Sequence, residues 1–310
     1  MVEFLVAKEF DVWVIDMRYS IMLPSHKREG YIGDAAEKDL PPAVDYILEK
    51  TGQPDLELLG HCAGGMTAHA ALLGGHLEGK IRCFVSSQAG FSLTVGAINS
   101  AKSHARLPTV LYGLSVQGMT AYPDNPSSWN QRIINFFVDK VAGLTTNMSE
   151  HCEIDVCHRV TFTYSLLWSH RNVNELTHNT LKEWNGFVHA VRLIHFALCM
   201  RKGRIVDKDG HDTYLPDFNS KHKLGSDRYR AALKHLDLPI LYFSGANNVC
   251  WDPETTRDSF KRCQEANPDQ HYERFEVQNY RHLDCIMGSM AAQEVFPNFT
   301  HFLEKYAHPM

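Results

Sequence analysis

Residues 56–71 read LELLGHCAGGMTAHAA, and the fold turns on how this stretch is read. An apolar run, Leu56, Leu58 and Leu59, ends at Gly60; His61, Cys62, Ala63, Gly64 and Gly65 follow, and then an Ala-rich helical segment. A strand that turns at once into a helix leaves no room for side chains at the corner. Gly60 and Gly64, two before and two after Cys62, are expected to relieve that crowding and let Cys62 take a strained backbone conformation. Its side chain would then stand at the carboxyl edge of the sheet, above a helix N-terminus. This is the G-x-S-x-G nucleophile elbow with cysteine in the serine position. A thiol so placed, beside His61, is expected to lean toward thiolate. The competing reading is a buried cysteine in an ordinary strand–turn–helix connection.

The other elements build outward from this corner. Residues 11–17 (DVWVIDM) read as a strand, and their near-continuous hydrophobicity suits a parallel strand covered on both faces. Asp39 can cap a helix with Pro41 and Pro42 in its first turn and Gly52 just past its end. Residues 81–86 (IRCFVS), 239–244 (PILYFS) and 273–277 (ERFEV) supply further strands, with helices expected over 253–263 and 291–306. Between 90 and 236 the alternation stops, and helical aromatic-rich patterns such as 129–141 and 181–200 take over. An insertion this long reads as a helical cap over the active edge. The expected division is therefore core 1–89, cap 90–236 and core 237–310, with a mostly parallel α/β sheet whose ligands sit at the strands' carboxyl ends.

Composition narrows the class. With 31 Lys and Arg against 36 Asp and Glu and no basic cluster, nothing points to nucleic acid or an anionic membrane. The eight cysteines follow no small-scaffold pattern and suit a reducing compartment. The first residues resemble no signal peptide and no apolar run is of membrane-spanning length, so cytoplasm is the expected location. No GxGxxG occurs, and no cofactor is assigned.

A cysteine nucleophile needs a base, and the base needs an orienting group. In elbow hydrolases the order is nucleophile, acid, histidine. His282, in NYRHLDCIMG, follows the last strand and precedes the last helix, which makes it the expected base; His61, next to the nucleophile, should point elsewhere. The acid position falls in GANNVCWDPETT, on Asn248, whose amide can still accept the imidazole N–H, with Asp252 four residues on as the alternative. The other common acid position, after residues 81–86, holds Gln88, and Asp284 is expected to brace the base loop. The Ala63 N–H is one oxyanion donor. The second normally comes from a loop ahead of the first elements seen here, so the chain is expected to lack the first strands of the complete fold.

Several stretches together carry a family resemblance: FDVWVIDMRYSIMLPS, LLGHCAGG, the segment 157–186 with HRNVNELTHNTLKEWNG, FSGANNVCWDPETT and NYRHLDCIMG. They resemble the α/β-hydrolase-fold domain at the C-terminus of glucose-methanol-choline oxidoreductases of the cholesterol-oxidase type. The tail is also similar to acid lipases, whose acid would fall on Asn248, and the elbow to polyhydroxyalkanoate synthases, which use cysteine for acyl transfer. The resemblance implies an ester or thioester hydrolase or acyltransferase acting on a small or lipid-like acyl substrate. The rival is a non-catalytic domain that works with a fused or associated oxidoreductase.

Other groupings are weighed and set aside. His151, Cys152, Cys157 and His158 form HCEIDVCH, whose side chains suit zinc, but the spacing matches no standard finger and no metal is assigned. Cys250 and Cys285 lie on neighbouring loops and are expected as packed thiols. DKDGHD at 207–212 reads as a polar turn, and Asp16 and Arg18 as loop braces.

Overall fold

The computed structural model describes residues 1–28, 30–122, 128–145, 152, 154–219 and 225–308. Its strands are Leu56–His61 (β1), Ile81–Ser87 (β2), Gly118–Thr120 (β3), Phe187–His189 (β4), Ile240–Gly245 (β5) and Tyr272–Val277 (β6). Four of them form one sheet in the order β1-β2-β5-β6, and all neighbours are parallel. β3 and β4 pair antiparallel as a separate ribbon.

The pleat sorts the central strands between two apolar layers. Phe84, Ile240 and Tyr242 face one side with Leu58, where they pack with Met66, Leu40 and Val44 from the helices Ala63–Leu73 and Leu40–Thr51. Cys83, Val85, Leu241 and Phe243 face the other, against Phe296, Phe299, Phe302 and Leu303 of Phe296–Tyr306. Both faces are thus covered, which is why β2 and β5 read as unbroken apolar runs. β6, at the edge, carries charge at Glu273, Arg274 and Glu276.

Residues 11–17 depart from expectation. They form no strand, and Val14 is 72% exposed. A strand exists by its ladder, and here a cavity of about 1110 Å³, lined by Val12, Trp13, Leu56 and Leu58 among others, separates the segment from β1. Residues 181–200 are not one helix: Leu181–Trp184 ends before Gly186, and the chain runs through β4 before Ala190–Lys202 begins. A Cβ at Gly186 would come within 2.6 Å of Ile21, so a tertiary contact interrupts the helical pattern there. The stretch between β2 and β5 is accordingly mixed, not purely helical. Asp39 stands at the N-cap of Leu40–Thr51 without capping it, because its carboxylate takes the Arg18 guanidinium at 2.6 and 2.9 Å.

The corner after β1 is closed by backbone approach. A Cβ at Gly60 would lie 2.8 Å from the Gly65 Cα, and one at Gly65 would lie 2.7 Å from the Ala89 Cβ, whereas one at Gly64 would meet nothing. The second indispensable glycine is therefore Gly65, not Gly64, because the helix turns Gly65 back onto β1. Gly65→Ala should lower stability by about 1–3 kcal/mol through overpacking, while Gly64→Ala should leave it unchanged or gain up to about 1 kcal/mol from helix propensity. Urea titration of the two variants checks this; equal midpoints would refute the close-approach account.

Candidate active site

Cys62 occupies the corner at φ 54° and ψ −122°, a conformation that only tight surroundings maintain. Its N–H is held by the Ser87 carbonyl at 3.0 Å, and its own carbonyl accepts from Met66 at 3.0 Å, so the residue belongs to sheet and helix at once. The side chain lies on the floor of a cavity of about 330 Å³. Ala63, Trp251 and His282 share that floor, and the walls are mainly apolar, with Leu111, Met119, Phe162 and Phe187 coming from the stretch between β2 and β5.

The thiol is not poised as thiolate. Burial pushes its pKa up to about 11, and the N–H groups of Ala63 and Trp251, which both act on the sulfur, recover only part of that. The expected bias from the helix N-terminus is real in sign but smaller than the desolvation cost. The Trp251 indole nitrogen is buried without a well-aligned partner elsewhere. The sequence pattern gave no sign of its role, since it depends on how the loop after β5 folds over the elbow.

His282 is where expected, and its surroundings fix its protonation. Its Nδ1 lies 3.0 Å from the Asn248 amide nitrogen. That amide cannot turn round. Its oxygen accepts the N–H groups of Cys250 and Trp251 at 3.0 and 3.3 Å, and its nitrogen also donates to Gln88 Oε1 at 2.7 Å. Gln88 is fixed in turn, because the same Oε1 accepts Gly245 N–H at 3.1 Å and Nε2 donates to the Cys285 sulfur at 3.0 Å. Asn248 therefore donates to His282 instead of accepting, so the imidazole is neutral with its proton on Nε2. This corrects the reading of Asn248 as acceptor of the imidazole N–H. Burial, with the neighbouring His61 ring 5.1 Å away, holds the His282 pKa well below its usual value. Nε2 makes no hydrogen bond among the described residues, to the Cys62 sulfur included.

The remaining candidates sort as follows. Asp252 is turned away: its carboxylate accepts Glu254 N–H at 2.9 Å at the start of Glu254–Ala266. Asp284 braces the base loop, accepting from Arg281 N–H at 2.8 Å and Asn172 Nδ2 at 2.8 Å. His61 meets Ser87 Oγ at 3.0 Å and borders the cavity beside β1. Among the described residues, no carboxylate hydrogen-bonds the His282 ring. Gln88, passed over as a mere replacement of an acid, proves to be the residue that sets the amide.

Arg192 was missed altogether. It borders the cavity with its guanidinium over the Tyr19 ring at 5.1 Å, is 6% exposed, and its buried Nε and Nη2 have no hydrogen-bond partner among the described residues. Burial lowers its pKa. A charged side chain left so costs stability unless something joins it.

The family follows from sequence. The α/β hydrolase fold model matches residues 1–288. The chain belongs to the α/β-hydrolase fold family. Lipase member K of Mus musculus is 25% identical over 313 residues, covering 96% of this chain and 72% of that protein. Gastric triacylglycerol lipase of Bos taurus is 24% identical over 267 residues, covering 85% of this chain and 61% of the bovine protein. The solved structure of BpoC from Mycobacterium tuberculosis H37Rv shares the fold at TM-score 0.50 and 13% identity, covering 99% of this chain and 86% of its own. No helix among the described residues is long and apolar enough to cross a membrane.

The four HCEIDVCH side chains do not gather as one set: His158 Nε2 pairs with the Cys152 carbonyl at 2.7 Å, and His151 lies outside the described residues. Ligand-type atoms of Cys152 and Cys157 lie within 4.8 Å of those of His170 and His178. The 207–212 turn is as read, with Asp207 accepting the N–H groups of Asp209 and His211.

A thiol with a pKa near 11 should alkylate about tenfold faster per pH unit between pH 7 and 9, because the thiolate fraction is still rising. Iodoacetamide kinetics with peptide mapping at Cys62 measures it. A plateau below pH 8 would mean that the thiolate is already formed.

Proposed function

We propose that the chain hydrolyses or transfers the acyl group of a lipid-like ester or thioester, with Cys62 as nucleophile. The observation that carries this reading is Cys62 at φ 54° on the floor of a mainly apolar cavity, under the N–H of Ala63. The lipase relatives support an ester substrate. Solvent hydroxide takes the Cys62 proton, the thiolate attacks the carbonyl carbon, and the oxyanion forms beside Ala63 N–H and the Trp251 indole N–H. Collapse expels the leaving group and leaves an acyl-cysteine, which water or a second alcohol or thiol resolves. His282, protonated at Nε2, donates a hydrogen bond to the reacting oxygens. It cannot take the thiol proton there until the ring proton moves to Nδ1, against the Asn248 amide. Turnover is therefore slow at neutral pH and rises with alkalinity. Arg192, whose Nε and Nη2 have no hydrogen-bond partner among the described residues, adds that the substrate carries a carboxylate or phosphate group near the scissile bond.

The same neutral orienting group favours a second reading, a domain whose catalytic power has lapsed and which serves a fused or associated oxidoreductase. Esters of graded chain length separate the two. Cys62→Ala should abolish turnover with the fold intact, and Asn248→Asp, by accepting a hydrogen bond from Nδ1–H, should keep or raise activity at pH 7, whereas Asn248→Ala, which leaves the Cys250 and Trp251 N–H groups unpaired, should lower it. Full activity in Cys62→Ala would remove the cysteine from the chemistry, and no turnover of any ester by wild type or Asn248→Asp would favour the lapsed domain.

For Arg192→Gln, kcat/KM toward an ester bearing a carboxylate should fall about tenfold or more while that toward its neutral counterpart holds, the scale of one charged hydrogen bond. Equal losses on both esters would assign Arg192 to structure alone.

A further inference from the structure

Away from the elbow, four side chains of metal-ligand type converge. One ligand atom each from Cys152, Cys157, His170 and His178 lies within 4.8 Å of every other. They come from separate pieces of chain: Cys152 precedes the helix Asp155–Tyr164, Cys157 sits in its first turn, His170 opens the turn His170–Asn172, and His178 lies in Glu175–Asn179. The Cys157 sulfur is 3.5 Å from His170 Nε2. His178 Nε2 is buried without a hydrogen-bond partner among the described residues, and the two imidazoles stand edge to face at 4.8 Å. With zinc–sulfur and zinc–nitrogen bonds of about 2.3 and 2.0–2.1 Å, neighbouring ligand atoms of a tetrahedron lie about 3.3–3.8 Å apart. The group needs only a small contraction to reach that geometry.

We infer that Cys152, Cys157, His170 and His178 form a closed structural zinc site. Two thiolates and two neutral imidazoles balance a divalent charge, so a partly buried ion leaves no net charge to solvate. Sulfur ligands select against calcium and magnesium. Four protein ligands leave no open position, so the ion holds structure and activates no water. The thiols lose their protons on binding.

The position says what is held. The helix carrying Cys157 goes on to line the catalytic cavity with Val160, Phe162 and Tyr164. The chain between Cys157 and His170 carries the base loop: the Leu167 carbonyl accepts the N–H groups of His282 and Leu283 at 3.0 and 2.7 Å. Asn172, at the end of the His170 turn, reaches Asp284 Oδ2 at 2.8 Å, and its carbonyl accepts Ser289 N–H at 2.8 Å. An ion joining these pieces fixes a cavity wall to the loop that presents His282. This holds whether or not Cys62 is the nucleophile.

The test is metal analysis of the full chain purified under reducing conditions without metal-affinity resin. It should contain about one zinc per chain after gel filtration. Cobalt exchange should give the sulfur-to-cobalt charge-transfer band and the intense visible absorption of a tetrahedral thiolate site. His178→Ala and Cys157→Ser should lose the ion, while His211→Ala, in the acidic 207–212 turn, should keep it. Should those two variants fail to fold, the wild-type stoichiometry and cobalt spectrum decide alone. Wild-type protein that holds under about a fifth of an equivalent after zinc reconstitution, or a Cys152–Cys157 disulfide in the reduced preparation, would overturn the site. So would loss of the zinc in His211→Ala alone.

Discussion

The backbone contact between Gly60 and Gly65 is the constraint on which the rest depends. Only because neither carries a side chain can the helix Ala63–Leu73 start directly above the end of β1, and only then is Cys62 driven to positive φ. From that corner the other placements follow. The Cys62 N–H is tied to β2 through Ser87, β2 leads into Gln88, and the carboxyl ends of β2, β5 and β6 bring Gln88, Asn248 and His282 to one edge. A parallel sheet does this generally, because every strand delivers its following loop to the same side.

What the edge then presents is a neutral network. Gln88, Asn248 and His282 carry amides and an imidazole where a carboxylate would ordinarily stand. Each hydrogen bond has an unambiguous donor because backbone N–H groups of Gly245, Cys250 and Trp251 fix the amide oxygens. A buried carboxylate there would stabilise an imidazolium and let the histidine take a proton. A buried amide keeps the ring neutral, and burial of Cys62 keeps the thiol neutral as well. The geometry proposed for a nucleophilic site is thus joined to electrostatics that keep both the thiol and the imidazole neutral.

The stretch between β2 and β5 serves the site in two ways. It supplies apolar walls and the buried Arg192, and through Leu167, Ser169 and Asn172 it carries the loop bearing His282 and Asp284. The four converging side chains Cys152, Cys157, His170 and His178 were legible only in part, since HCEIDVCH holds two of them and the other two lie well downstream.

Local pattern determined a good deal of this protein. The elbow, the strands β1, β2, β5 and β6, the helices around Leu40–Thr51 and Glu254–Ala266, and the places of Cys62, Asn248 and His282 are written in apolar runs, prolines and glycines. These are preferences that a few neighbouring residues settle among themselves. Tertiary structure decided the remainder. Residues 11–17 have a strand's composition and no ladder, because pairing requires a partner that composition does not name. Gly65 outranks Gly64, Asn248 donates where it was expected to accept, the Cys62 thiol is neutral, and His170 and His178 join Cys152 and Cys157. Each of these depends on which groups become neighbours across long stretches of chain and on how much water they lose, and neither quantity is encoded in any short window of sequence.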